Sequence, residues 1–594
     1  MNNNQIKINS KIKEAIQNNK PIVALESTLI SHGLPYPDNI NVANESIKAV
    51  EKSGSIAATI GIINGIIKIG LNKDDIEILA STKNVEKVSL HNIALSIFNK
   101  KNAATTVAAT INIASKIGIN FFATGGIGGV HLDSENNNDI SADLTELSRN
   151  KMFVVSSGAK SILDLEKTYE KLETLGIPRI SYNSNLTLQS ATAFLDHVTP
   201  SQYVELYREA DLNDLSDANI TFNEDDVTKY YNQEIGYEGE NWVDALIKNY
   251  APMHQHNLNV SGGNENVKYF TSFGYIDQES FFKSRDFDYK RYNTRSNIDI
   301  QISDKLNFSM DLSYRQDIRE RPAQNALSNI WIDLATSQPI YLSKLPEDID
   351  IPDVTKPAVA YSGSTTGNRN PLARSSRDIF GTYDRLDNTF RGKLGIKYDI
   401  PGISGLIFNA NLNVTLLNRS EKSFRKPYNV YSHNINTNQL QLEGVGNGVS
   451  SISDSQFRRS MIYPTLSLEY TKSSNNHNLK VLVLAEQTTR KYSMFSATRK
   501  DLFTTTIPEL FIGSENEQTN DGSSGPDIGR KSAVTRINYR YKDRYLFEST
   551  FRADGNVLFS PENRWGYFPS FSFGWIISEE PFFNNNQNTT LKLR

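Results

Sequence analysis

The stretch NFFATGGIGGVH (120–131) passes from a short apolar run straight into a cluster of glycines. Such a run, bounded by glycine, reads as a buried strand that ends in a turn. The pattern repeats outward from it, in IVALE (22–26), IAATIGIING (56–65) and MFVVSSG (152–158). Helical spacing fills the intervals: Ile12 with Ile16, then Val42, Ile47 and Val50 after Asp38, then 105–118, then 162–175 closing at Gly176. Strands alternating with amphipathic helices predict an α/β domain with a largely buried sheet over residues 1–178.

Past that point the period changes to two. ISYNSNLTLQS (180–190), KLNFSMDLSYRQD (305–317), NTFRGKLGIKYDI (388–400), YPTLSLEYT (463–471) and RYLFESTFRADG (544–555) alternate apolar or aromatic with polar residues. Of the 4 Trp, 27 Tyr and 28 Phe, only six lie in the first 180 residues, so two building styles share one chain. Strands of about ten residues with aromatic ends, separated by alternately short and long polar loops, suit an outer-membrane barrel. A soluble repeat β-protein is the alternative on periodicity alone; the long Pro-, Ser-, Gly- and Asn-rich loop at 343–387 favours the barrel. The architecture expected is an α/β domain over 1–178, then an antiparallel outer-membrane-type β-barrel fragment over 179–594.

Composition bounds the chemistry. With 63 basic against 67 acidic side chains and a net charge of −4 over 594 residues, there is no basic footprint for nucleic acid. The absence of cysteine removes disulfides, zinc–cysteine sites, iron–sulfur clusters and thiol nucleophiles. The start, MNNNQIKINSKIKEAIQNNK, lacks the basic-then-apolar pattern of a secretory signal, and no window of roughly 18 apolar residues occurs. As written, the chain is expected to be cytoplasmic.

Reactive side chains gather at the strand ends of the first part. Glu26 closes IVALE; its carboxylate either caps a helix or acts as a general acid. The glycines of 123–131 could cradle a phosphate with backbone N–H groups, although glycine turns after strands are common. Asp139 and Asp143 stand four apart near His131, either as helix-capping groups or around a hard cation held mostly through water. Lys87 and Lys160 stand close to apolar strands; a solvated charge is the ordinary reading, and an amine nucleophile toward a carbonyl or anomeric carbon is the sharper one.

Taken together, VALESTLISHGLPYP (23–37), AATIGIINGIIKIGL (57–71), VEKVSLHNIA (85–94), FFATGGIGGVH (121–131), DISADLTEL (139–147) and SSGAKSILDLEKTYEKLETLGIP (156–178) resemble the pseudouridine-5′-phosphate glycosidases. The resemblance implies hydrolytic, reversible cleavage of the carbon–carbon glycosidic bond of pseudouridine 5′-phosphate, giving uracil and ribose 5-phosphate through a lysine imine. It implies Lys160 as nucleophile, Glu26 as proton donor and His131 as an assisting group. Lys87 and the Val107 backbone would contact substrate, Ser141, Ala142 and Asp143 would line its site, and Asp139 would bind Mn²⁺. The nucleophilic amine is expected to lie inside a pocket opposite the acid. A homotrimer is usual for that family, and the family continues well past Pro178.

APMHQHNLNVSGGNENVKYFTSFGYIDQES (251–280) and FRADGNVLFSPENRWGYFPSFSFGWIISEEPFF (551–583) resemble SusC/RagA-type TonB-dependent outer-membrane receptors, which import glycans or peptides. That resemblance implies TonB and a surface lipoprotein as partners of a complete receptor. It covers the middle of that family, with about ten strands and two open sheet edges expected. Glu347 and Asp348 are candidate ligand contacts or, more simply, solvated loop charges. The two resemblances meet near 176–179 without a Gly-, Ser- or Pro-rich linker, which reads as a joined reading frame.

Overall fold

The computed structural model describes residues 5–132, 139–193, 196–214, 220–323, 327–345, 356–361, 369–434, 437, 439–525, 527–583 and 590–594. They form two compact units, Met1–Arg179 with Val260–Tyr269, and Ile180–Asn259 with Phe270–Arg594.

The first unit is an α/β layer structure. Its strands are β1 (Ile6–Ile8), β2 (Ile22–Leu25), β3 (Ile56–Ile63), β4 (Ile66–Ile69), β5 (Glu86–Val88), β6 (Ala103–Thr105), β7 (Phe121–Ala123) and β8 (Phe153–Val155). They pair in the order β1-β4-β3-β2-β7-β8, with β6 joined to β3 and β5. The pairs β2–β3, β2–β7 and β7–β8 are parallel, whereas β3–β4 is an antiparallel hairpin. β3 is the centre: its last six residues, Ala58 to Ile63, are all buried. A strand covered on both faces needs an unbroken apolar run, and IAATIGII supplies one. Ala24, Ile60, Ile62, Ile67, Ile111, Ala114 and Phe122 complete a core whose members are almost wholly excluded from solvent.

Helix ends follow side-chain chemistry. The helix expected over 105–118 runs Val107–Lys116, because Ala103–Thr105 pairs as a strand and the Thr106 hydroxyl caps the helix. That expected over 162–175 runs Leu165–Thr174, capped by Asp164, whose carboxylate accepts from the Lys167 N–H. Gly176 follows in a left-handed conformation, φ 73°.

The second unit is built on a 14-stranded sheet. Its path runs from Lys592–Leu593 and Trp565–Ile576 at one edge to Ala251–Gly263 and Arg179–Gln189 at the other, and the sheet is not closed among the described residues. This corrects the expected count of about ten. Strand length is corrected too: Ser451–Ser474 and His477–Lys500 have 24 residues each. Both strands continue beyond their apolar band into mostly polar stretches, 451–460 and 487–500, where alternation of hydropathy is a weak guide. The segment 343–387 is not loop throughout: Ala358–Ala360, Pro371–Ser375 and Arg377–Phe380 are regular, and a strand starts at Gly381. Glu347 and Asp348 lie outside the described residues.

Register keeps the two faces of this sheet distinct. Phe308, Ile396, Ala410 and Leu466 stand in one cross-strand rank, and Asn307, Lys397, Asn409 and Ser467 in the next. The apolar rank is exposed, Ile396 by 44% and Leu466 by 51%. Smaller cores sit elsewhere in the unit, one around Trp242, Leu246, Phe282 and Leu334 and another around Val359, Phe380, Tyr428 and Val430. No described helix is long and apolar enough to cross a membrane, which says nothing about strands.

Candidate active site at the strand ends of the first unit

Parallel strands deliver their C-terminal residues to one edge of the sheet, and β2 and β7 are direct neighbours there. Glu26 follows β2 and Thr124 follows β7. Both oxygens of the Glu26 carboxylate are engaged: the Thr124 hydroxyl donates to one and the Thr28 hydroxyl to the other. The capping alternative for Glu26 is not what forms, because Ser27 occupies the cap position of the short helix Thr28–His32. Beneath it, buried Ser27 and Thr105 are joined: the Thr105 N–H donates to Ser27 Oγ at 2.8 Å, and Thr105 Oγ1 donates to the Ile60 carbonyl at 2.7 Å. This ties the ends of β2 and β6 to the middle of β3. Glu26, Thr124 and Gly125 border a cavity of about 340 Å³ whose other walls are mainly apolar, including Leu29, Ile30, Ala43 and Val50.

The glycine turn is held by Asp143, which is 9% exposed. One carboxylate oxygen accepts the Ala108 N–H at 2.8 Å, in the first turn of the helix that begins at Val107. The other accepts the Gly128 N–H at 2.8 Å. Ser141 caps the following helix, accepting the Asp143 N–H at 3.3 Å, and its own N–H donates to the Gly129 carbonyl at 2.9 Å. Asp143 and Ser141 therefore clamp the turn against the Val107 helix, and Ala142 beside them is exposed. The N–H groups of Thr124, Ile127, Gly128, Val130 and His131 all donate within the protein. The phosphate-cradle reading loses those five donors.

Lys160 reaches the same turn from β8. Its N–H donates to the Ile127 carbonyl at 3.2 Å, and a Cβ placed on Gly126 would stand 3.5 Å from Lys160 Cγ. Thr124 Oγ1, which holds Glu26, lies 3.5 Å from the Gly126 carbonyl. Acid and amine thus flank one short segment. The expectation of an enclosed amine is corrected, however: the Lys160 side chain is exposed and does not line the cavity. The reason is topological, since β8 is an edge strand and its following turn has a neighbour on one side only.

The remaining groups stand apart. His131 Nε2 lies 3.8 Å from Asp139 Oδ2, both half exposed, and the His131 N–H donates to the Asp139 carbonyl. Asp143 turns to the backbone rather than toward Asp139, so the two aspartates do not converge. Among the described residues no three His, Cys, Asp or Glu side chains share a position fit for a metal ion. Lys87 is exposed on β5, its carbonyl accepting from Asn92 Nδ2 at 3.1 Å.

Three groups escaped sequence reasoning. Thr28 and Thr124 sit inside the stretches LEST and ATGG, but nothing in the pattern says that their hydroxyls meet on one carboxylate 98 residues from Thr124. His32 is the third: partial burial and then the Lys87 ammonium push its imidazole below the ordinary 6.5, opposed by a hydrogen bond to the Val85 backbone. Ser31 Oγ lies 2.9 Å from its Nδ1.

Residues 11–224 match the family model described as Indigoidine synthase A like protein. A pseudouridine-5′-phosphate glycosidase of Staphylococcus aureus (strain MW2) is 53% identical over 180 residues, covering 30% of this chain and 59% of that protein. One of Escherichia coli (strain K12) is 50% identical over 180 residues, 30% of this chain and 58% of that protein. The chain thus spans about three-fifths of the curated relatives it matches. A solved structure of the RagAB peptide transporter aligns with 70% of this chain and 46% of its own at a TM-score of 0.52 and 18% identity, a likeness of fold alone. The chain therefore joins a stretch matching pseudouridine-5′-phosphate glycosidases to one that shares the fold of part of the RagAB peptide transporter.

Proposed function

We propose that the first unit carries the cleavage of pseudouridine 5′-phosphate to uracil and ribose 5-phosphate. The observation that supports this reading most is that the 124–127 turn is tied both to Glu26, through the Thr124 hydroxyl, and to the Lys160 backbone, in a stretch about half identical to named glycosidases. A carbon–carbon bond to the sugar cannot break by simple departure of a base anion, because a free carbanion is too high in energy. In the proposed route the ring oxygen leaves C1′ as a proton passes to it and the base forms a double bond to that carbon, and the neutral Lys160 amine then adds to C1′. Glu26 protonates the base carbon, the electron pair of the glycosidic bond stays with that carbon, the nitrogen lone pair closes the imine at C1′, and uracil leaves. Adding water across the imine returns the amine and ribose 5-phosphate, so the net reaction consumes one water.

The Thr28 and Thr124 hydroxyls orient Glu26 for that transfer. Lys87, the Val107 backbone and the Ser141–Asp143 turn are the proposed substrate contacts, with His131 assisting. A divalent cation at Asp139 belongs to the same reading, with His131 Nε2 3.8 Å from its carboxylate, and no step is routed through it. A homotrimer is likewise part of the proposal. The test is release of uracil from pseudouridine 5′-phosphate by the whole chain, its Lys160→Ala form and its Glu26→Gln form. Loss in both variants is expected; equal rates in all three would remove the route.

A second reading belongs to the second unit. Its exposed apolar rank and its likeness to a receptor support an origin as part of an outer-membrane importer, for which TonB and a surface lipoprotein are the proposed partners. Sorting of the chain into an outer-membrane fraction would support it.

A further inference from the structure

On the polar face of the second unit, two cross-strand ranks bring charged residues of four neighbouring strands together. One rank reads Arg291, Asp317, Asp387, Arg419; the next reads Tyr289, Arg319, Arg385, Glu421. Asp317 accepts from Arg291 Nε at 2.8 Å and Tyr289 OH at 2.6 Å, with Arg315 Nε at 2.9 Å. Asp387 is contacted by Arg385 and Arg419 at 2.7 Å each and by Arg319 at 3.2 Å. The two aspartates are 1% and 8% exposed, whereas the five arginines keep 24% to 43% of their side chains open. One residue further along the same face, Arg321 stacks over Tyr383 at 4.2 Å, and its Nε is buried with no hydrogen-bond partner.

Six guanidinium groups here meet three carboxylates, Glu421 being shared by Arg385 and Arg419. The cluster therefore carries a surplus of three positive charges. Arg319 also stands directly opposite Arg385, and like charges in that position oppose strand pairing. A sheet needing only ion pairs for stability would not carry this surplus. Guanidinium forks pair with carboxylates through two parallel hydrogen bonds, and several of these forks use only one nitrogen on the aspartates.

We propose that this array is a binding site for a multivalent carboxylate, the two buried aspartates serving to hold the arginines in place. Guanidinium groups lie over the rings of Tyr289, Tyr383 and Phe457, so the aromatic side chains here help to position the arginines and charge is the feature the site presents. The proposal is independent of the glycosidase reading. The carboxylates can come from a free polycarboxylate or from a chain bearing them, and two probes separate these sources.

Calorimetric titration of the whole chain in detergent with citrate and with hexaglutamate tests it, beside the Arg321→Gln single and Arg319→Gln/Arg321→Gln double variants and a Lys480→Gln control. Among the described residues Arg321 makes no ion pair, so its substitution leaves the arginine–carboxylate pairs of the cluster in place. Binding of at least one probe is expected, weakened by added salt and roughly tenfold by the double change, with the control unaffected. Citrate alone would identify a free anion as the source, hexaglutamate alone a chain. No binding of either at millimolar concentration, or equal affinity in all four proteins, would overturn the proposal.

Discussion

Asp143 shows how much one side chain can decide. Its two oxygens satisfy the N–H of Ala108 and that of Gly128, one at the start of a helix and one in the glycine turn. Asp143→Ala leaves both donors buried without an acceptor, a loss of about 1–3 kcal/mol for each such group. Chemical denaturation should show a lowered midpoint, and an unchanged midpoint would mean that the clamp is not used. His32 makes a second prediction. Its imidazole is held below 6.5 by burial and by Lys87. A base whose folded value is depressed favours the neutral form, so its contribution to stability is complete above that ordinary value and fades as pH falls through the lower one. Proton NMR should place the His32 titration under 6.5, and Lys87→Met should raise it; a midpoint at or above 6.5 in the parent chain would contradict the placement of Lys87.

At the scale of elements, the glycine turn is the part least tolerant of change. A Cβ on Gly129 would stand 2.3 Å from Thr168 Oγ1 and 2.7 Å from its Cγ2, and Thr168 is fully buried. That hydroxyl also accepts the Val130 N–H at 2.8 Å, so the turn and the helix Leu165–Thr174 must shift together. Gly129→Ala is expected to cost about 1–3 kcal/mol in a thermal melt, whereas Gly118→Ala, where a Cβ meets nothing within 4 Å, acts only through its backbone angle. The polar tie under Glu26 gives a companion prediction. Thr105→Val removes the donor to the Ile60 carbonyl and the acceptor for Thr110 Oγ1. A destabilisation of about 1–3 kcal/mol follows, and uracil release by the variant should fall with it. Full activity at full stability would show that the strand ends do not need that tie.

For the whole molecule the dominant fact is an apolar face left open across the second unit. Leu394, Ile396, Leu412, Leu466, Leu468 and Val483 are each at least 39% exposed on one phase of adjacent strands. A patch of that kind marks contact with lipid or another apolar partner. Light scattering should report large aggregates in plain buffer and a single species in detergent; a monodisperse chain without detergent would mean that the face is covered. Much of this could be read in the chain alone. The α/β alternation was legible because buried parallel strands require continuous apolar runs such as IAATIGII, and the change to period two was legible because one face of each later strand is apolar. Glu26, Lys160 and the glycine turn stood out by residue type and position relative to strands. The exposure of Lys160 was not legible, since it depends on β8 being an edge strand. Nor was the bonding of Glu26 to Thr124 or of Asp143 to Ala108, partners 98 and 35 residues apart. Local pattern sets which residues become strand, helix or turn, because those preferences act over a few residues along the backbone. Which polar groups then meet is decided by the order of strands in the sheet, and only tertiary packing determines that order.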